Sequence, residues 1–223
     1  MVSRSQRSER RTEALTRERI VEAAIAILDA EGERALTFRA LATRLATGSG
    51  AIYWHVADKD ALLAAAADHV VGLAMDTVGA SPDPRAAIRE IALALFDAFD
   101  AHPWVGAQLS LDPTQAATLR FFEGIGGRLQ SLGVPEGARF DAWSACVNYI
   151  MGVAGQNAAN ARRHPGEADR RALLGAVAER WGRLDPAEYP FLRAAAAQLP
   201  GHDDRDQFAA GIELILAGLA PAR

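Results

Sequence analysis

Cysteine, lysine and long apolar segments are scarce in this chain of 223 residues, and two of these scarcities exclude whole classes of protein. Its single cysteine, Cys146, cannot form an intramolecular disulfide, which suits a reducing compartment. No uninterrupted apolar segment reaches the ~20 residues of a membrane-spanning helix, and no signal-peptide core is evident. We therefore expect a soluble, cytoplasmic protein without membrane contact.

Aromatic residues are also few, at 7% of the chain, although half of its residues are apolar. The apolar fraction is dominated by alanine, which favours helices over strands. No segment alternates apolar and polar residues between hairpin turns, so the pattern predicts an all-α fold. A domain of about 60 residues would leave enough chain for a second hydrophobic core.

Catalytic and metal-binding patterns are lacking as well. Gly48-Ser49-Gly50 does not have the spacing of a nucleophile elbow. The glycines at residues 124–127 follow a helical pattern and not a strand, which argues against a dinucleotide site. The five histidines include no pair at metal-ligand spacing. We expect no enzyme, no cofactor and no metal site.

The most informative segment is residues 37–63, which has the form of a helix-turn-helix. Thr37 is a good N-cap, and the apolar residues after it recur at helical spacing up to Leu45. Small residues at 46–50 predict a turn, the apolar pattern resumes at Ala51, and Asp58 can cap the next helix. Upstream, residues 17–31 predict an amphipathic helix that Gly32 ends. Such a unit reads DNA in many proteins, although it also occurs as plain helix packing.

Glycine, proline and capping residues divide the remaining chain into further helices. We expect these at residues 58–78, 84–101, 104–111, 114–132, 135–163, 169–183, 186–199 and 204–219. The sequence thus predicts two domains: an N-terminal arm with a three-helix helix-turn-helix domain at residues 1–62, and a helical domain at residues 63–223.

The helix-turn-helix segment resembles the DNA-binding domain of the tetracycline-repressor (TetR) family over roughly residues 17–70. The residues that carry the resemblance are Thr37, Arg39, Leu41, Ala42, Ile52, Tyr53, Trp54, His55 and Lys59. The chain departs from the family at Ala46 and Gly48, where a turn glycine and a Ser or Thr cap are usual. Because glycine has no side-chain acceptor, we expect Thr47 or Ser49 to cap the recognition helix.

The resemblance implies a set of DNA-contacting residues, namely Thr37, Arg39, Thr47, Gly48, Ser49, Gly50, Ala51, Tyr53, Trp54, His55 and Lys59. Arg39 can reach a guanine edge with both arms of its guanidinium, whereas the hydroxyls, Tyr53 and His55 suit phosphate or sugar contacts. Alternatives stay open: Arg39 as a solvated surface residue, Tyr53 and Trp54 as core aromatics, and His55 as a helix cap.

Charge is distributed in agreement with a small DNA-binding face. Lys59 is the only lysine and stands at the family's phosphate-contacting position. Residues 1–60 hold ten basic and nine acidic residues, so their net charge is +1, and residues 61–223 carry −5 of the total of −4. The N-terminal arm contains Arg4, Arg7, Arg10 and Arg11, and either follows DNA phosphates or only aids solubility.

The second domain carries two apolar helical stripes, one within residues 136–163 and one within 204–219, with Gly152, Gly155, Gly211 and Gly218 permitting close approach. The resemblance implies that these helices form a homodimer. It also implies a mostly apolar small-molecule effector, for which the candidate ligand residues are Phe96, Phe99, Trp104, Gln108, Phe121, Phe122, Trp143, Val147, Asn148 and Met151.

These observations predict a ligand-responsive DNA-binding transcriptional regulator. In this hypothesis a homodimeric repressor leaves a palindromic double-stranded DNA operator when a small molecule binds. The alternative is an all-helical small-molecule binding protein without specific DNA reading.

Overall fold

A computed structural model describes residues 15–79, 81–109, 112–163 and 166–219 of the chain, and the arginines of the N-terminal arm lie outside these ranges. Within them the chain is helical and contains no strand, which confirms the all-α prediction. Its α-helices are α1 Arg17–Glu31, α2 Phe38–Arg44, α3 Ser49–Tyr53, α4 Lys59–Thr77, α5 Pro84–Ala101, α6 Val105–Leu109, α7 Ala116–Ser131, α8 Glu136–Arg163, α9 Glu167–Gly182, α10 Pro190–Ala196 and α11 Asp204–Gly218.

Helix boundaries follow the capping residues that the sequence offers. The side chains of Thr16, Asp58 and Asp203 each accept a backbone N–H in the first turn of α1, α4 and α11. Gly32, with φ of 78°, ends α1 in a conformation that glycine adopts without strain. The start of α7 is capped from a distance, because Asp68 of α4 accepts the Ala117 N–H at 2.6 Å.

One predicted helix is shorter than expected. The segment predicted as residues 186–199 becomes helical only at Pro190, the first residue of α10. The chain before it forms a turn, in which the Asp185 carboxylate accepts the Ala187 N–H and the Asp185 backbone carbonyl accepts the Tyr189 N–H, both at 2.8 Å. Aspartate competes for backbone amides in this way, and proline is favoured at the first helical position.

A single hydrophobic core is formed by residues of α1 to α8 and of α11, without α9 and α10. α1 packs on α4, and α4 continues without a break to pack against α5, α6 and α7. α8 lies against α5, α6, α7 and α11. The domain boundary that we place at residue 62 therefore falls inside α4 and stays a prediction. Among the described residues, no helix has both the length and the apolarity needed to cross a bilayer.

Polar contacts fix α11 against α5. Arg205 donates from two nitrogens to the carboxylate of Asp97, at 2.7 and 2.9 Å, and Arg89 pairs with Glu213. Arg85 donates to the carbonyl oxygens of Leu216 and Leu219, where unpaired carbonyls make the end of a helix negative. The hydrogen bond from Arg89 also lowers the pKa of Glu213.

Candidate nucleic-acid interface and effector domain

The start of α2 places Arg39 on the molecular surface. Thr37 is the N-cap, and its Oγ1 accepts the Ala40 N–H at 3.1 Å. This bond fixes the first turn of α2, where Arg39 is exposed. Leu41, on the opposite side of the helix, is fully buried. A buried anchor and a capped start therefore hold the guanidinium-bearing residue in place without using its side chain.

The turn between α2 and α3 is built around Ala46. Ala46 has a φ of 50° and is the only non-glycine residue with positive φ among the described residues. The N–H groups of Ala46 and Thr47 donate to the carbonyls of Thr43 and Ala42, at 3.3 and 2.9 Å. This is the Schellman arrangement, which usually has glycine at the left-handed position. Gly48, in contrast, has an ordinary φ of −84°.

The recognition helix α3 starts at Ser49, two residues before the apolar pattern resumes. Gly48 is its N-cap, and no side chain makes the capping hydrogen bond. The expectation that Thr47 or Ser49 caps the helix is therefore wrong. Buried Ile52 anchors α3, which leaves Gly48, Ser49 and Gly50 exposed and Thr47 and Ala51 partly exposed.

The two aromatic residues at the end of α3 differ in their surroundings, since Tyr53 packs on another ring and Trp54 is exposed. Tyr53 stacks on Phe38 of α2, with ring centroids 4.2 Å apart and an interplanar angle of 2°, and remains half exposed. Trp54 is 91% exposed, so its interpretation as a core aromatic is wrong. His55 is exposed as well. Arg39 and Ser49, on α2 and α3, are exposed like these three residues.

Lys59 has a structural contact of its own. Its Nζ donates to the carbonyl oxygen of Glu33 at 2.8 Å and lies 3.7 Å from the Glu33 carboxylate. Glu33 begins the short 3₁₀ turn Glu33–Ala35 between α1 and α2. The lysine thus ties the start of α4 to the chain before α2, and its phosphate contact stays a prediction.

Family models and relatives agree with this geometry. The model of bacterial regulatory proteins of the tetR family matches residues 20–66, and that of the tetracyclin repressor-like C-terminal domain matches residues 80–222. The chain belongs to the TetR family. It is accordingly a DNA-binding transcriptional regulator with an N-terminal helix-turn-helix domain and a C-terminal helical domain.

Other members of the TetR family resemble the chain over nearly its whole length. An HTH-type transcriptional regulator of Saccharopolyspora erythraea is 33% identical, over 97% of this chain and 89% of the relative. The TetR regulator SCO7222 of Streptomyces coelicolor is 52% identical with a TM-score of 0.83, and the match covers 92% of this chain and 97% of that one. ActR of the same organism, solved with actinorhodin, is 26% identical with a TM-score of 0.77, over 92% and 95% of the two chains.

Most of the predicted ligand residues of this TetR protein lie in its C-terminal interior. Phe121, Phe122 and Trp143 form one aromatic cluster, in which the Trp143 indole also donates to the Phe122 carbonyl at 3.1 Å. Phe96 packs on Phe208 of α11 with centroids 4.8 Å apart. Two further predicted residues, Phe99 and Val147, are buried, whereas Gln108 and Met151 are partly exposed.

Two predicted ligand residues are placed differently. Asn148 is exposed on α8, where its amide donates to Ser144 Oγ at 3.0 Å, so the structure does not bring it into the aromatic interior. Trp104 is buried, but its indole N–H donates to Asp29 of α1 at 2.7 Å. Asp29 also lies 2.9 Å from His102 Nδ1. Trp104 therefore links the C-terminal domain to the helix-turn-helix domain.

Four buried side-chain polar atoms have no hydrogen-bond partner among the described residues. They are Gln115 Oε1, Thr118 Oγ1, Arg139 Nε and Asn157 Nδ2. Such groups are rare in proteins because each leaves a desolvation cost of about 1–3 kcal/mol uncompensated. The sequence prediction missed them. Thr118 could have been found, since it precedes Phe121 and Phe122 at helical spacing on the buried face of α7.

Cys146 lies on the buried face of α8, as its place on an apolar stripe predicts. It is 1% exposed, and this burial raises the pKa of its thiol to about 11. Desolvation disfavours the thiolate, which is the nucleophilic and metal-binding form of cysteine. The thiol thus acts as an apolar core group.

Proposed function

We propose that this regulator is a cytoplasmic, homodimeric repressor that a small molecule releases from a palindromic operator. The observation that carries the DNA-reading part is the exposed α2–α3 surface with Arg39, Ser49, Tyr53, Trp54 and His55. A helix enters the major groove of DNA with such a surface, and bases are read there by side chains that can form paired hydrogen bonds.

Arg39 is the proposed base-reading residue. Its side chain is exposed at the capped start of α2 and can present two parallel N–H groups to a guanine edge. Thr37, Thr47, Ser49, Tyr53, His55 and Lys59 would contact phosphates or sugars and so fix the position of the helix on the duplex. Gly48, Gly50 and Ala51 would allow the backbone to approach the DNA, because their side chains are absent or small.

Dimerisation would use the exposed faces of α8 and α11. On α8, small residues recur every seven positions at Ala138, Ala145, Gly152 and Ala159, and all four are exposed in the single chain. Leu214 of α11 is 76% exposed. Small residues at heptad spacing let two helices pack closely, and a partner subunit on these faces would bury the exposed leucine. A two-fold dimer places two recognition helices about 34–36 Å apart, one turn of DNA.

The effector would bind in the C-terminal interior, next to the aromatic cluster of Phe121, Phe122 and Trp143. Ligand sites in proteins are mostly apolar with a few polar groups that orient the ligand. Gln115, Thr118 and Asn157 supply unpaired buried polar atoms on α8 and at the start of α7. The similarity to ActR, which was solved with actinorhodin, supports an effector of this kind.

The decisive experiment is a selection of bound fragments from a random DNA pool. The proposal predicts a palindrome whose half-site centres lie about one helical turn apart. Sub-micromolar binding to that sequence at physiological salt is expected. Enrichment of no sequence, with only weak and salt-sensitive binding, would instead mean that the protein does not read an operator.

Two variants then test the residue roles on the selected operator. Arg39→Ala should weaken binding by about 1–3 kcal/mol and relax the preference at one base position. Lys59→Ala should weaken binding to all sequences and reduce the salt dependence by about one released ion. Arg183→Ala is the matched control, because Arg183 is exposed on the far domain. Unchanged affinity of either test variant would remove the corresponding role.

The lysine needs one more control, since it also holds the carbonyl of Glu33. Glu33→Gln keeps that carbonyl and the lysine but removes the ion pair. If Lys59 serves DNA, Glu33→Gln should bind DNA as well as or better than the unmodified protein, because a competing negative charge has gone.

A further inference from the structure

A groove of about 610 Å³ lies at the junction of the two domains, between α1, α4 and α5. We call it the junction groove. Its apolar part includes Ile25 of α1, Leu73 of α4 and Ala94 and Ala98 of α5. Leu73 is 55% exposed, so a large apolar side chain that lines the groove faces solvent. The volume falls within the range of about 300–1,000 Å³ that is typical of small-molecule sites.

The charged residues that line the junction groove are all acidic, apart from its histidines. Glu22, Asp29 and Asp97 contribute carboxylates, and no described lysine or arginine lines it. Asp97 is neutralised from outside the groove by Arg205 of α11. His69 and His102 are the other titratable groups that line it. An apolar surface edged by acidic side chains complements a ligand that is apolar and positively charged.

Asp29 is placed to receive the charge of such a ligand. It belongs to α1, its side chain is 33% exposed, and its Oδ1 is oriented by the indole of Trp104 and by His102. A carboxylate that neighbouring donors hold in place loses little conformational freedom when it binds an ammonium group. Charge-assisted hydrogen bonds of this kind are about twice as strong as neutral ones.

We propose that the junction groove binds an amphipathic organic cation, with its apolar body against Ile25, Leu73 and Ala98 and its ammonium group on Asp29. None of the ten ligand residues implied by the family resemblance lines the junction groove. One of them, Trp104, adjoins it through its hydrogen bond to Asp29. The bound molecule spans α1 of the helix-turn-helix domain and α5 of the C-terminal domain. If the DNA-bound and DNA-free states differ in the relative position of the two domains, a ligand that prefers one arrangement changes the affinity for DNA. This consequence rests on the proposed function.

The test uses two pyrene probes that share one apolar body and differ in charge. These are 1-pyrenemethylammonium and 1-pyrenecarboxylate, titrated against the full chain at pH 7.5 and followed by fluorescence anisotropy. The cation should bind about tenfold more tightly than the anion or better. Asp29→Asn keeps an oxygen acceptor for Trp104 and should weaken cation binding roughly tenfold, with no loss for the anion. Asp100→Asn is the matched control, as Asp100 is exposed on α5 and does not line the groove.

Two variants locate the site independently of charge. Ala98→Phe should fill the groove and abolish binding of the cation. Should that variant not fold, Leu73→Gln changes an already exposed side chain and should weaken cation binding severalfold, whereas Leu119→Gln, exposed on α7, should not. Equal binding of both probes, or unchanged cation binding by Asp29→Asn, would overturn the proposal. The measurement needs no DNA, so failure to select an operator would contradict the proposed function alone.

Discussion

Two helix pairs in this molecule meet by opposite means: α2 meets α3 at the surface, and α8 meets α11 in the interior. The surface pair is joined by a tight turn and by the stack of Phe38 on Tyr53, and much of it remains exposed. The interior pair is joined where Tyr149 donates to the Phe208 carbonyl at 3.1 Å beside Gly211. The contact between α2 and α3 depends on the backbone conformation of the turn, and the contact between α8 and α11 depends on the absence of a side chain at Gly211. Substitutions should therefore affect the two contacts differently.

The largest effect is expected from Gly211→Ala. A Cβ at residue 211 would overlap the hydroxyl and ring of Tyr149. Either Tyr149 would have to move away and lose its hydrogen bond to the Phe208 carbonyl, or α8 and α11 would have to separate, at a cost of about 2–3 kcal/mol in the free energy of unfolding. Calorimetry should show a fall in Tm of about 5–10 °C.

Gly175→Ala is its control on α9, because a Cβ there meets nothing within 4 Å. That variant should gain about 0.5–1 kcal/mol from the better helix propensity of alanine. If both alanines change the stability alike, the contact between α8 and α11 is not limited by space.

Cys146 gives the next largest difference between interior and surface. With a thiol pKa of about 11 in place of 9.0, its thiolate fraction at pH 8 falls about a hundredfold. Labelling with a thiol reagent should be slower by at least that factor than in the unfolded chain. Because burial disfavours the thiolate, the stability of the folded state should fall as the pH rises from about 9, where the unfolded thiol ionises, to about 11, the pKa of the buried thiol.

The comparison for Cys146 is an exposed thiol in the same protein. Ala172→Cys on α9, made in a Cys146→Ala background, should react at the rate of a free cysteine because Ala172 is exposed. Rapid labelling of native Cys146 would show that α8 opens without global unfolding.

At the surface, Thr37→Ala should cost about 1 kcal/mol of stability through loss of the α2 cap. Urea unfolding measures this loss. Thr43→Ala is the control from the same helix: Thr43 is exposed, and its hydroxyl only donates back to the Arg39 carbonyl. If Thr43→Ala lowers the free energy of unfolding as much as Thr37→Ala does, the capping hydrogen bond is not the cause of the loss.

The smallest effect, and the only stabilising test substitution in the turn, is expected for Ala46→Gly. Ala46 has a φ of 50°, which glycine adopts without strain, so the variant should gain about 0.5–1 kcal/mol. Gly48→Ala should be tolerated, since its φ is ordinary and a Cβ there meets nothing within 4 Å. A loss of stability in Ala46→Gly would contradict this account of the turn.

Sequence reasoning succeeded where one local signal decides the structure. The bounds of α1 and α5 were predicted to the residue. Each helix has a capping residue before its start, Thr16 or Asp83, and a stop signal after its end, Gly32 or His102-Pro103. It failed at α3, whose start has no side-chain cap. The family's turn glycine was matched to Ala46 from the sequence, and the Schellman hydrogen bonds do place the left-handed conformation there although the residue is an alanine.

The candidate site was harder to predict than the fold. Periodicity predicts which face of a helix is buried, but it does not say what a buried side chain contacts. Trp104 was predicted as a ligand residue, and its donation to Asp29 joins positions 75 residues apart. Trp54 has the apolar character of a core residue, yet α3 ends beside it and leaves it in solvent. Such outcomes depend on how helices are arranged in three dimensions.

The unbroken course of α4 gives the molecule a lever. At about 1.5 Å per residue, the 19 residues of Lys59–Thr77 form a rod roughly 28 Å long. A tilt of about 5° at its C-terminal end displaces the Lys59 end by roughly 2.5 Å, with no helix needing to bend. In a two-fold assembly both rods move, so the displacement between the two DNA-reading surfaces doubles. A change of a few degrees among the packed helices of the C-terminal domain is thus enough to move both surfaces out of register with one turn of DNA.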